Sequence, residues 1–162
     1  MTVTSADDLR ANLTGAWVLQ SYEARSVDGS DVIYPLGVNP RGIIMYTPDG
    51  YMSAQLMRSD RPRFSGDDMH LAPDNELAAA ASGYLTYSGP YSVVRDGLIA
   101  HHVEVSLLPN WIGETQYRAA RLNGSVLELS PPEPVLIDGQ ARNARLVWHR
   151  AGSAATSRSG AA

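Results

Sequence analysis

The sequence predicts an all-β protein: an up-and-down antiparallel barrel of about eight to ten strands, with a short N-terminal helix and a loop–helix lid. Five turn signals carry most of this. Asp28-Gly29, Asp49-Gly50, Asp96-Gly97, Asn123-Gly124 and Asp138-Gly139 each stand between runs with strand character. Such pairs suit two-residue hairpin loops, in which both central residues take φ > 0. The chain is 162 residues long, enough for one domain with a sizeable core. An antiparallel meander must also hide its edge strands, and closure into a barrel does so while leaving room for one small ligand.

Composition narrows the function classes. Hydrophobic residues make up 44% and charged residues 19%, a globular balance. Thirteen Lys and Arg against seventeen Asp and Glu give a net charge of −4. A nucleic-acid binder would carry a basic stripe instead. Cysteine is absent, which removes disulfide and thiolate chemistry. The N-terminal residues show no export signal, and no apolar run reaches the roughly 20 residues of a membrane-spanning helix. A soluble cytoplasmic protein is expected, with no nucleic-acid or membrane partner and homodimerisation left open.

In chain order, Ser5 and Asp8 read as an acidic capping box opening a helix to about Asn12, so residues 1–12 form an N-terminal segment. The barrel is expected over 13–150. The first strand should turn Trp17, Leu19 and Ser21 to one face. With a two-residue loop at Asp49-Gly50, Met45 pairs with Ala54 and Thr47 with Met52. That register puts Met45 and Met52 inside and Tyr46 and Tyr51 on the opposite face. Residues 58–83 read as a polar loop and then an Ala-rich helix from Pro73, ended by Gly83 at its C′ position, together a candidate lid. At Asn123-Gly124, Arg118 falls on one face with Ala120, Leu127 and Leu129. An Arg on an apolar face needs an acceptor. Residues 151–162 are small and polar, a predicted disordered tail.

The chemically versatile side chains concentrate between Gly83 and Arg118. A two-residue loop at Asp96-Gly97 pairs Tyr91 with His102 and gathers Tyr87, Tyr91, His102 and Glu104 on one face. The other face carries Ile99, His101, Val103 and Val105, so simple hydrophobicity would put His101 inside instead, and a three-residue loop with a bulge would pair Tyr91 with His101. Strand parity does not choose between them; we carry the first forward. There, Glu104 beside His102 suits general acid–base work, and Tyr87 and Tyr91 could donate to a ligand carbonyl. Arg118 could anchor a carboxylate or enolate, and Trp111 could stack on a flat ligand at the rim. His101, Met45, Met52, Tyr46 and Tyr51 complete the candidate binding set. Adjacent His101 and His102 point to opposite faces of a strand, so only one can join Glu104 at an ion. No metal or cofactor is expected.

Gly15-Ala16-Trp17, the run PLGVNPRGIIMYTPDGYMSAQL, GYLTYSGPYSV, HHVEVSLLPNWIGETQYR and the closing LVWHR together resemble the bacterial and fungal lipocalin-like domain family. The resemblance runs from about Leu13 to Arg150. It implies a calycin-type barrel around a cavity for a small hydrophobic molecule. It also implies that Trp17 packs across the closed end beneath a late-strand Arg, for which Arg150 is the candidate. Some family members lie among genes of polyketide and other secondary metabolism, where related barrels act as cofactor-free cyclases, dehydratases or isomerases. The expected function is therefore binding of a small, oxygen-bearing hydrophobic molecule. On this reading the protein is a cofactor-independent isomerase, cyclase or lyase acting on a polyketide- or terpenoid-like intermediate. A non-catalytic carrier is the alternative.

Overall fold

Turn chemistry and alternating burial produce eleven strands, β1 (Gly15–Ser26), β2 (Val32–Ile33), β3 (Arg41–Tyr46), β4 (Tyr51–Met57), β5 (Tyr84–Arg95), β6 (Leu98–His102), β7 (Val105–Ser106), β8 (Thr115–Asn123), β9 (Val126–Ser130), β10 (Val135–Ile137) and β11 (Gln140–Arg150). They are seen in a computed structural model that describes residues 4–68 and 70–152. Antiparallel pairing runs β1-β3-β4-β5-β6-β8-β9-β11, and β11 returns to β1, closing an eight-stranded barrel. β2, β7 and β10 are short additions along its margins. The predicted tail lies, from residue 153 on, outside the described residues.

The capping box forms as read. α1 (Ala6–Asn12) starts at Ser5, whose Oγ accepts from the Asp8 N–H at 3.1 Å and donates to the Asp8 carboxylate at 2.8 Å. The helix plugs one end of the barrel with Leu9 and Leu13, both fully buried against Trp17. The Trp17 indole N–H donates to the Leu13 carbonyl at 2.9 Å, and the Arg150 guanidinium lies over the indole ring, 4.1 Å from its centroid. Trp17, Trp148, Ile44, Leu127 and Ile99 are all sealed from water, each contributing about 1.5–3 kcal/mol relative to exposure.

The five turns part company in detail. Asp138-Gly139 is a two-residue loop with φ of 51° and 76°, the I′ geometry expected. At Asn123-Gly124 the loop is instead Gly124-Ser125, since Asn123 pairs with Val126. That slip moves the register by two, so Arg118, Ala120, Leu127 and Leu129 keep their shared inward face. At Asp49-Gly50 the turn spans four residues, and Tyr46 pairs with Met52 and Ile44 with Ala54. Here the slip is one residue, which exchanges the faces of β3. Met45 (43% exposed) is therefore outside and Tyr46 (1% exposed) inside, the reverse of the expectation. Met52 remains inside, while Tyr51 is exposed as its parity required.

Two bulges matter for the site. β1 shifts register between Leu19 and Ser21, so Tyr22 and not Ser21 follows Trp17 and Leu19 into the interior. β5 keeps its two-residue loop, Arg95 pairing with Leu98, but shifts between Val93 and Arg95 and sets Tyr91 opposite His101. The Tyr91–His101 pairing of the alternative is thus realised, through a bulge at Val94 and without the three-residue loop expected to accompany it. His101 is fully buried, and His102 and Glu104 face outward.

The Ala-rich segment forms α2 (Asp74–Ser82), lying against β5. Gly83 ends it at φ −92°, outside the left-handed region expected of a C′ glycine; its N–H donates to the Ala79 carbonyl at 3.2 Å. No helix among the described residues is long and apolar enough to cross a membrane.

Candidate ligand-binding site

The end of the barrel away from α1 opens into a cavity of about 260 Å³. That is just below the roughly 300–1,000 Å³ usual for small-molecule sites, so the occupant must be small. Its floor and walls are inward residues of alternating strands: Ile44 of β3, Ala54 and Leu56 of β4, Leu85 and Tyr87 of β5, Leu129 of β9, and Ala144, Leu146 and Trp148 of β11. The rim comes from Leu108 and Trp111, at the start and end of the 3-10 turn Pro109–Trp111, and from Pro131 and Val135–Ile137 of the last hairpin and the segment before it. None of the described residues of 58–83 borders it, so the candidate lid helix lies to one side.

Four polar side chains line this apolar chamber: Tyr22, Tyr87, Gln116 and Arg118. Arg118 is held by Gln116, whose Oε1 accepts from both guanidinium ends at 3.4–3.5 Å, and by the Tyr117 carbonyl at 2.8 Å. It forms no ion pair among the described residues, although other arginines, such as Arg142 with Asp31 and Arg145 with Glu128, do. Its charge is felt widely, favouring ionisation of Tyr22 and Tyr46 and opposing protonation of His101. Burial is nonetheless the larger influence on all three. It raises the Tyr22 phenol, raises the Tyr46 phenol well above its usual range, and holds His101 well below 6.5, hence neutral. The Trp148 indole N–H, also in the cavity wall, is buried without a hydrogen-bond partner. Buried donors are normally satisfied, so this one has an acceptor to gain from a ligand or a water.

The expected site residues are thus divided. Tyr87, Trp111 and Arg118 meet at the cavity, and the Trp111 ring stands edge-on to Tyr87, centroids 5.4 Å apart. Tyr46 and His101 lie just behind, where the Tyr46 hydroxyl is 2.9 Å from His101 Nε2 and the Tyr87 hydroxyl 3.0 Å from Nδ1. Tyr91 packs its ring edge on Tyr46 and donates to the Thr47 carbonyl at 3.3 Å, and Met52 fills the core. Met45 and Tyr51 are on the outer surface because of the β3–β4 register. His102 and Glu104 are also outside: His102 lies within 3.2 Å of the Ser92 and Thr115 hydroxyls, and the bulge that turned His101 inward takes this pair out of reach of a molecule in the cavity. Missed in sequence were Tyr22, Gln116, Trp148 and the 131–137 rim. Of these, Gln116 shares the parity of Arg118 and was open to the same argument. Among the described residues no three His, Asp or Glu side chains gather as metal ligands would.

A closed eight-stranded barrel with one plugged end and a largely apolar cavity defines a small-molecule-binding barrel. The chain belongs to the lipocalin-like domain family, which its residues 14–151 match. It is also 39% identical over 106 residues to the 4'-hydroxy-3'-methoxypropiophenone carrier protein ppsC of Aspergillus oryzae, an alignment covering 61% of this chain and 96% of that one.

Proposed function

We propose that this protein is a carrier that shelters a small, flat phenolic ketone in its barrel, without transforming it. The observation that carries the reading is Arg118, a guanidinium without an ion-pair partner among the described residues, facing a largely apolar chamber. A phenolate or other electron-rich oxygen would complete it, since a charged hydrogen bond made away from water is among the stronger polar contacts. The aromatic edges of Tyr22, Trp111 and Trp148 suit a planar ring, and the carrier from Aspergillus oryzae is named for a ligand of this kind. The rival reading, a cofactor-free isomerase, cyclase or lyase on a polyketide- or terpenoid-like intermediate, needs a proton-transfer pair at the ligand. Among the described residues the cavity lining holds no Asp, Glu or His. That favours carriage over chemistry.

The test is calorimetric titration of the purified protein with 4'-hydroxy-3'-methoxypropiophenone, followed by mass analysis of the ligand recovered after prolonged incubation. One site per chain and an unaltered ligand are expected. Absence of binding, or recovery of an isomerised, cyclised or dehydrated product, would overturn the carrier reading.

A further inference from the structure

We propose that Tyr87 is a fixed hydrogen-bond donor to a carbonyl oxygen in the cavity, and that Tyr46 sets this direction through His101. The choice of a carbonyl rests on the carrier reading; the direction of the hydroxyl rests on proton counting alone.

His101 is fully buried between two phenols, with Nε2 2.9 Å from the Tyr46 hydroxyl and Nδ1 3.0 Å from that of Tyr87. A neutral imidazole offers one donor and one acceptor, so one phenol must give its proton to the ring and the other must receive one. The two phenols are not equivalent. Tyr46 is buried at 1% exposure, and among the described residues its hydroxyl has no hydrogen-bond partner except His101. Its proton can only go to Nε2, because the reverse arrangement would bury an O–H with no acceptor. Nε2 is then the bare nitrogen, and the ring proton sits on Nδ1. Nδ1–H donates to the Tyr87 oxygen.

The Tyr87 proton is thereby released from His101. No other protein acceptor lies within hydrogen-bond distance of that hydroxyl among the described residues, and Tyr87 lines the cavity. Its O–H is left to point at whatever the cavity holds. Tyr46 touches no ligand; it is a positioning residue that keeps Tyr87 a donor, so the barrel discriminates in favour of a molecule with an acceptor oxygen near Tyr87. A phenolic ketone has one such oxygen for Tyr87 and a second for Arg118.

Two measurements test this. The first needs no ligand: nitrogen-15 NMR of the His101 ring in the free protein should show Nδ1 protonated and Nε2 bare. An Nε2–H tautomer would overturn the proposal. The second compares 4'-hydroxy-3'-methoxypropiophenone with 2-methoxy-4-propylphenol, the same skeleton with a methylene in place of the carbonyl. The differing acidity of the two phenols is common to every variant, so the change in their affinity ratio isolates the carbonyl contact. Tyr87→Phe keeps the ring packed against Trp111 and should lower the ketone preference about three- to tenfold. In Tyr46→Phe the bare Nε2 loses its donor, so its nitrogen-15 resonance should move toward that of a bare imidazole nitrogen that accepts no hydrogen bond, which a merely space-filling Tyr46 would not cause; an unmoved resonance would overturn Tyr46 as the donor to His101. An unchanged ratio in Tyr87→Phe would overturn the proposal. Failure of the wild-type protein to bind either compound would instead overturn the carrier reading, and the tautomer would still decide the direction of the Tyr87 hydroxyl.

Discussion

The Arg150 guanidinium lies 4.1 Å above the centre of the Trp17 indole and donates to the carbonyls of Thr14 and Asn12. It ties the last strand to the segment joining α1 to β1, and so locks the plugged end of the barrel. This end is separate from the cavity, whose lining includes neither residue. Arg150→Ala should therefore destabilise the fold by about 1–3 kcal/mol, from the cation–π contact and the two charged hydrogen bonds. Urea unfolding would measure the loss, and the ligand affinity of the folded fraction should not change.

Gly89 makes a second backbone-level prediction. A Cβ there would lie 1.9 Å from the His102 carbonyl oxygen and 3.0 Å from the Glu104 nitrogen, because the chain between β6 and β7 crosses directly over it. These are backbone atoms that no side-chain rotation can clear. Gly89→Ala should cost at least the about 1–3 kcal/mol typical of overpacking, seen as a lower urea midpoint.

The outward placement of His102 and Glu104 is directly testable. Each should tolerate alanine within about ±0.5 kcal/mol of wild-type stability, as surface positions do. Titration calorimetry should find ligand affinity unchanged in both variants.

How far the sequence foretold all this depended on parity. The barrel, α1 with its Ser5 cap, and the stacking of Arg150 on Trp17 were legible because each follows from local chemistry or a family pattern. Arg118 was legible too, since a lone guanidinium among apolar residues stands out and the register error in its hairpin was two, which preserves the face. The β3–β4 turn erred by one, and that alone exchanged Met45 with Tyr46. Tyr22 was hidden by a bulge at Gln20, and the inward turn of His101, a reading left open in the sequence, hung on a bulge at Val94. Bulges are chosen by how neighbouring strands fit, and two strands read separately do not reveal them.

Buried, neutral His101 gives stability a pH signature. Its pKa is lowered well below 6.5, first by burial and then by Arg118. The unfolded chain therefore binds a proton at His101 before the folded one does. Its contribution is fully present above about pH 6.5 and is lost as pH falls below that value toward the folded-state pKa. The slope attributable to His101 should reach up to about 1.4 kcal/mol per pH unit. Wild type and His101→Gln, compared by urea unfolding at pH 7 and pH 5, should differ in slope accordingly.

The central claim is that Arg118 receives an electron-rich oxygen of the ligand, and its most direct test is the affinity of Arg118→Gln for 4'-hydroxy-3'-methoxypropiophenone beside that of the wild type. Loss of a charge-assisted hydrogen bond of about 1.5–3 kcal/mol predicts binding weaker by roughly tenfold or more, with the barrel still folded by circular dichroism. Equal affinity in the two proteins would contradict the account.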